Sequence, residues 1–431
     1  MRSHCERKCV QASRRSRSGG NTLQEEDIID LYGGHPWWIA NSGLLHSYPA
    51  LHEDAECDVL IVGAGISGAL IADLLSAAGM HVCVIDRREA GWGSTAASTA
   101  LLQYEIDTEL NELSNLVGID DAVLAYRACE QAVLRLGELA RALRGVGFRR
   151  MQSLYFASRG SHEKRLRTEA KLRREHGFDV QTLEPEGIRA QYGIDAPVAL
   201  LTSIAAEADP YQFAHRLLAR VRQRRGIVHG RTELAEFRPQ KGNVLAHTTN
   251  GQAIRCQHLI FAAGYECQSH LEQRVAHNRS SYAFVSEPVD SGLDSLRDTL
   301  MWESARPYLY LRTTQDNRVI VGGLDDSIDI AIKRDASVER KAKALAGRVR
   351  TLLPRLSTRI AFSWAGTFAE TEDGLPFFGP HPQHGSRVHF AMAYGGNGIT
   401  YSMIGAEILL ASLQGRVHPC VDLFSFRRLA R

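Results

Sequence analysis

No apolar run in this chain approaches the ~18–20 residues that a membrane-spanning helix needs, so a helical span is excluded. The cysteines at 5, 9, 57, 83, 129, 256, 267 and 420 form no CxxC pair and keep no regular spacing. A zinc site and a disulfide framework are therefore not expected, and reduced, structural thiols in a cytoplasmic protein are. Net charge is small, +2 from 51 basic and 49 acidic residues. No bulk field draws the chain to nucleic acid or to an anionic membrane. No internal repeat is visible, and the 17 histidines lack ligand spacing, so no metal site is expected. What remains is globular: 44% hydrophobic and 23% charged residues over 431 positions, enough for two full cores or one large α/β body with insertions.

The first twenty residues differ from the rest. Arg2, Arg7, Lys8, Arg14, Arg15 and Arg17 face one acid, Glu6, and the stretch ends in Ser-Gly-Gly. Arg14-Arg15 lacks the apolar region that an export signal carries next. A disordered basic tail over 1–27 is the expectation. Residues 28–55 follow as an arm, with Trp37 and Trp38 packing on the body rather than forming a lid.

Residues 58–86 carry the strongest signal. Asp58-Val59-Leu60-Ile61-Val62 has the pattern of a buried strand, and Gly63-Ala64-Gly65-Ile66-Ser67-Gly68 follows at once. A small-residue segment of helical period runs to Gly79, and the apolar strand His81 to Ile85 ends at Asp86, eighteen positions after the third glycine. Gly63 permits the tight turn, Gly65 lets the backbone reach a pyrophosphate, and Gly68 lets the helix pack on the sheet. The helix N-terminus offers free N–H groups and positive dipole to phosphates, and Asp86 can accept from a ribose hydroxyl. A glycine-rich turn in an ordinary α/β protein leaves the acid unexplained.

Further along, strand-like and helix-like segments alternate, which favours α/β layering. Gly91 to Ala100 is rich in glycine and hydroxyls. Asp120 to Leu143 and Glu163 to His176 have helical period, and Ser153 to Ser158 a strand pattern. Asp209-Pro210 is a helix start, an N-cap acid with proline at the first helical position. His258 to Phe261 is an apolar strand ending in Ala262-Ala263-Gly264. Residues 282–324 are strand-rich, Ser337 to Leu353 is helical, and Val388 to Met392 is a strand. It leads through Gly395-Gly396-Asn397-Gly398 into a helix to about Leu413. The fold expected is α/β: a discontinuous Rossmann-like cofactor domain (56–110, 208–272, 359–431) and a second α+β substrate domain (111–207, 273–358) with a mixed or antiparallel sheet.

Taken together these motifs resemble the D-amino-acid oxidase-like flavoproteins, a family that includes glycine, sarcosine and gamma-glutamylputrescine oxidases. The glycine fingerprint with Asp86, Gly93-Ser94-Thr95, the Thr232-Glu233-Leu234 strand and Ala262-Ala263-Gly264 carry the resemblance. So do Asp373-Gly374-Leu375-Pro376 and the terminal glycine turn, so that it spans residue 56 to the end. The Trp37-Trp38 arm is most similar to the gamma-glutamylputrescine oxidase branch. The resemblance implies noncovalent FAD. It assigns cofactor contacts to Gly63, Gly65, Ile66, Ser67, Gly68, Asp86, Arg87, Gly93, Ser94, Thr95 and Leu234. Ala262, Ala263, Gly264, Gly395, Gly396, Asn397, Gly398, Ile399 and Thr400 complete that set. Leu234 would flank the adenine through its backbone, and the closing helix would point its positive end at the flavin ring.

The same resemblance implies oxidation of a C–N bond in a small-molecule amine or amino acid. Hydride passes to flavin N5, water hydrolyses the resulting imine, and dioxygen or another electron acceptor takes the electrons. No certain catalytic side chain follows from it. Substrate-side candidates are Tyr308 and Tyr310, which share a face at strand period two, with Arg306 and Arg312 flanking them; Trp302 and Glu303 are weaker ones. Phe368 departs from the pattern. It stands where glycine and D-amino-acid oxidases carry a carboxylate-gripping arginine, which turns the expectation from a free α-amino acid to an amine or N-substituted amino acid. Gly366 falls where monomeric sarcosine oxidase attaches its flavin. Ile320 falls where that enzyme has a lysine for oxygen activation, which leaves oxidase against dehydrogenase open. A nicotinamide-dependent dehydrogenase and a non-catalytic flavin-binding protein are the competing readings.

Overall fold

The strand Ala55–Val62 lies parallel to Val82–Ile85 on one side and to Ala253–Phe261 on the other, with the Ile66–Ala77 helix connecting the first two. This is the strand–helix–strand crossover unit that the 58–86 pattern predicts. Gly68 makes its tight packing possible: a Cβ there would collide with the Gly63 carbonyl oxygen. Leu70, Ile71 and Leu75 of that helix are fully buried, and each such side chain contributes ~1.5–3 kcal/mol relative to exposure.

The computed structural model describes residues 31–328 and 330–430. The basic tail, Ile28 to Asp30 and two cysteines, Cys5 and Cys9, lie outside the described residues. Among those described, the strands form two sheets. The first has eight strands, with Val388–Met392, Ala253–Phe261, Ala55–Val62, Val82–Ile85 and Ile227–His229 in parallel order. Phe377–Pro380 closes one edge antiparallel, and the Leu234–Pro239 and Val244–Thr248 strands add to Ala253–Phe261. Three separate stretches of chain thus build one sheet, which makes it discontinuous in sequence.

The second sheet has ten strands and is mostly antiparallel. In it His277–Ser286 pairs with Val319–Asp326 on one side and Ile360–Glu370 on the other. Leu101–Gln103 and Ile360–Glu370 belong to this sheet, although both fall within stretches expected for the cofactor domain. The architecture is a mixed α/β fold, as expected.

Local signals explain most boundaries. Asp209 caps the Pro210–Gln223 helix, its Oδ1 accepting from Tyr211 N at 3.0 Å and Gln212 N at 2.9 Å. Helices occupy Ile119–Leu143, Glu163–Glu175, Val338–Leu352 and Gly398–Leu413. One boundary shifts. The strand expected from Thr232 starts at Leu234, because Thr232 N is spent on Asp86 O at 2.8 Å. Within the strand-rich stretch 282–324, a strand runs over Leu309–Thr313, after Pro307 and Tyr308. The arm packs on the body: Trp37 and Trp38 are buried, and Trp38 Nε1 donates to Ser98 O at 2.7 Å. The arm also contributes an edge strand, Tyr32–Gly34, paired with Ile360–Glu370. No helix among the described residues is long and apolar enough to cross a membrane. The six described cysteines are buried and free.

Candidate functional site

At the carboxyl end of Ala55–Val62 the glycine turn brings its N–H groups toward Asp86. Asp86 Oδ2 accepts from Ala64 N at 2.7 Å, and Oδ1 accepts from Arg88 N at 2.8 Å. Burial pushes this carboxyl up to about 6, against the pull of those two N–H groups and of Arg88. Each carboxylate oxygen keeps a further lone pair for a ligand hydroxyl. Thr232 N on Asp86 O runs the chain leading to Leu234 alongside the acid. Arg87 and Arg88 both pair with Glu266, Arg88 at 2.8 Å.

The hydroxyl-rich loop closes over the same turn. Thr95 Oγ1 accepts from Ile66 N at 2.9 Å, at the first residue of the helix. Ser94 Oγ is buried and has no hydrogen-bond partner, and it lies 3.7 Å from where a Cβ on Gly264 would be. Ser67 Oγ meets Ser402 Oγ at 2.6 Å, tying the first helix to the closing one. Ala262 N donates to Val62 O at 2.8 Å, so the Ala262-Ala263-Gly264 end lies beside Gly63. The expected contacts from Gly63 to Asp86, Gly93 to Thr95, and Ala262 to Gly264 are therefore brought together.

A buried donor without a partner is costly, and Ser94 supplies one in a cradle walled by glycine backbone. A helix N-terminus points into the same place. This combination fits an extended nucleotide cofactor: phosphate for the helix end and Ser94, a hydroxyl for Asp86.

The closing glycine turn is held from one side by residues 103–107. Asn397 Nδ2 donates to Glu105 O at 2.7 Å, and Thr400 Oγ1 to Gln103 O at 3.4 Å. Gly396 N donates to Asp107 Oδ2 at 2.7 Å. A Cβ at Gly396 would come within 2.5 Å of that oxygen, so only glycine allows the carboxylate to reach the backbone. Ile399 is buried in the first turn of the helix.

Asp107 also reaches the second sheet. Its Oδ1 accepts from Tyr308 Oη at 3.3 Å, and its carbonyl accepts from Arg306 Nη2 at 2.7 Å. The Arg306 guanidinium lies over the Tyr308 ring, 4.3 Å from its centroid. Tyr308 and Tyr310 are neighbours, with ring centroids 5.7 Å apart. Tyr310 Oη is 3.4 Å from Ser281 Oγ, and the Thr99 hydroxyl faces it too. Burial raises the Tyr310 phenol to about 12 and holds that of Tyr308 well above its ordinary value.

Other candidates are engaged elsewhere. Arg312 is buried, with Nε donating to Thr99 O at 2.7 Å and Nη1 to Glu207 Oε2 at 3.0 Å. Glu303 accepts from Leu309 N at 2.9 Å and pairs with Arg348. Trp302 stacks on Tyr155 at 3.8 Å and donates to Ser153 Oγ at 2.9 Å. Phe368 is half-buried and stands in register with Arg279, which pairs with Glu370. Ile320 is fully buried in the core.

Asp107, Ser281, Asp325 and the Arg279–Glu370 pair were not expected from the sequence. Asp325 follows the apolar run at the end of Val319–Asp326, and an acid at the end of a buried strand is the one signal that could have found it. Burial raises its carboxyl to about 7, and the nearby charges of Asp107 and Glu370 add to this.

A family model described as FAD dependent oxidoreductase (DAO) matches residues 58–412. The chain is 21% identical to gamma-glutamylputrescine oxidoreductase of Escherichia coli (strain K12) over 396 residues, 88% of each protein. Among solved structures, glycine oxidase from Geobacillus kaustophilus superposes with a TM-score of 0.71 at 18% identity, covering 86% of this chain and 98% of that one. L-amino acid deaminase from Proteus myxofaciens, in complex with anthranilate, gives a TM-score of 0.73 at 14% identity, covering 90% of this chain and 96% of that one.

Proposed function

The chain belongs to the DAO family of FAD dependent oxidoreductases, and we propose that it holds FAD noncovalently and oxidises the C–N bond of an amine or N-substituted amino acid. When bound, FAD supplies the hydride acceptor for the carbon beside the substrate nitrogen. In this reading the helix starting at Ile66, with Ser94 and Thr95, receives the phosphates. Asp86 accepts from the ribose, and the backbone near Leu234 lines the adenine. The turn Gly395 to Gly398, with Ile399 and Thr400, directs the closing helix's positive end at the ring. In this reading the cofactor domain takes 56–110, 208–272 and 359–431, less the Leu101–Gln103 and Ile360–Glu370 strands, which join the second sheet with the substrate domain.

The single observation that carries the reading is Asp107. One of its oxygens accepts from the backbone of the cofactor-side turn and the other from Tyr308. A ligand contacting Tyr308 and Tyr310 thus lies next to the group that the closing turn presents. The chain's own contribution is orientation: two tyrosines and an acid fix the substrate, and no nucleophile or metal is needed. Dioxygen is the acceptor in this reading, and the buried free thiols suit a reducing cytoplasm.

The test is direct. Purified protein should be yellow, bleach when an oxidisable amine is added without air, and recolour in air with release of hydrogen peroxide. A colourless preparation that takes up no FAD overturns the cofactor reading. Bleaching without recolouring in air replaces dioxygen by another acceptor.

A further inference from the structure

The proposed function leaves open which ligands the site prefers, and one carboxylate bears on that choice. Asp325 is half-buried. Its Oδ1 is closed off from solvent and has no hydrogen-bond partner. Its neighbour Asp326 is satisfied, by Lys341 at 3.0 Å and by Tyr282 Oη at 3.1 Å. Among the described residues no ion pair reaches Asp325.

The groups that face it come from every strand around it. They are the Ser281 hydroxyl, which hydrogen-bonds the carboxylate, with Asp107, Glu370 and Arg306, and the phenols of Tyr308 and Tyr310. Glu370 is matched by Arg279. Arg306 lies on the Tyr308 ring and against the Asp107 main chain. Three carboxylates (Asp107, Asp325, Glu370) thus share two guanidiniums (Arg279, Arg306), which leaves one negative charge over. An uncompensated carboxylate beside two phenols is complementary to an ammonium group, which brings positive charge and N–H donors. A ligand carboxylate in the same place would meet like charge.

We propose that Asp325 receives the amine nitrogen of the substrate and makes the site selective for ligands of net positive charge over carboxylates and zwitterionic α-amino acids. This rests on the flavin-dependent reading above. The replacement of a carboxylate-gripping arginine by Phe368 agrees with it.

The experiment uses the flavin-loaded protein and two small probes of similar shape and opposite charge, tert-butylamine and pivalate. Neither has a hydrogen on the carbon that would be oxidised, so binding is read from the flavin absorbance without turnover. The expected result is tighter binding of tert-butylamine by about tenfold or more. Asp325→Asn should lose that preference, and Asp325→Glu should restore part of it. Because the free carboxyl titrates at about 7, the wild-type dissociation constant for the amine should rise about tenfold from pH 8 to pH 6. The Asn variant should be flat over that range, although Asp107, Glu370, Arg279, Arg306, Tyr308 and Tyr310 remain. Equal response to both probes, no response to either, or an unchanged Asn variant overturns the proposal. Should that variant not fold, the probe pair and the pH profile of the wild type decide. A preparation without flavin overturns the cofactor reading instead, so the two failures are distinct.

Discussion

Around Gly63 to Gly68 the polar groups answer one another within a short stretch of chain, whereas around Asp325 they come from five separate segments and do not balance. On the cofactor side Ala64 N, Ile66 N and Arg88 N all have acceptors from Asp86 and Thr95. The group left over at this turn is a neutral hydroxyl, Ser94. On the substrate side the group left over is a carboxylate oxygen. The difference follows from what each region has to recognise. A dinucleotide is constant, so backbone N–H groups and small residues suffice. A substrate varies between enzymes of one fold, so side chains, and charge above all, must select it.

The largest expected effect tests the rigidity of the first region. Gly68→Val puts a branched side chain against the Gly63 carbonyl oxygen, where neither backbone segment can yield. Loss of more than about 5 kcal/mol, the lower end of whole-domain stability, is expected. Soluble yield and the ratio of flavin to protein absorbance measure it. A folded, yellow variant would show that the turn relaxes, and the contrast in rigidity would fail.

Next comes a buried ion network whose Glu105 lies in the 103–107 segment that holds the closing turn. Arg173 is fully buried with Glu169 at 2.7 Å and Glu105 at 3.8 Å. Glu169 also accepts from Leu110 N at 2.8 Å and Asn111 N at 2.9 Å, at the start of Leu110–Val117. Arg173→Leu strands two acids without a counter-charge, and a loss of about 3–5 kcal/mol is expected in denaturant unfolding. A loss below about 1 kcal/mol would mean that both acids are protonated in the native state.

The contrast was unevenly legible in the sequence, for physical reasons. Asp58 to Asp86 is one continuous unit whose geometry is set by neighbours in the chain, so strand, turn, helix and acid were all readable. Val388–Met392 and the Asp209 cap were equally local. Asp107, Ser281 and Asp325 meet only because antiparallel register places Val319–Asp326 beside His277–Ser286 and brings Tyr310 opposite Gly322. No periodicity within any one segment reports that. The edge strand Tyr32–Gly34 was missed because three residues carry no alternation, and its pairing with Gly366 is over 330 residues away in sequence. Arg312 was plausible by spacing, yet its donors are committed to Glu207 and Thr99.

A smaller effect sharpens the charge argument through stability. The Asp325 carboxyl titrates at about 7 in the folded chain, above its ordinary value of 3.8. A raised acid makes the folded state bind the extra proton. Its cost to stability is therefore absent below about pH 4 and grows as pH climbs through 7. The full shift corresponds to about 4 kcal/mol; partial exposure reduces this to about 2 kcal/mol. Asp325→Asn should accordingly be more stable than wild type at pH 8 and equal to it near pH 4, in thermal unfolding of the protein without substrate. Equal stability at both pH values would mean that the carboxylate is compensated, and the contrast between the two regions would lose its basis.

The smallest effect asks whether the excess charge can be cancelled. Phe368 is half-buried, in register with Arg279 and two residues from Glu370 on the same face of the strand. Phe368→Arg would set a second guanidinium beside Arg279. Glu370 can satisfy one of them, so the other is free to offset Asp325. Binding of pivalate to the flavin-loaded variant should then tighten about tenfold, roughly 1.4 kcal/mol, and binding of tert-butylamine should weaken in step. Flavin content and unfolding temperature should hold, since the side chain has solvent on one side. If pivalate gains nothing while the variant keeps its flavin, then local charge balance does not set ligand preference at this site. Shape around Tyr308 and Tyr310 would be the remaining discriminator.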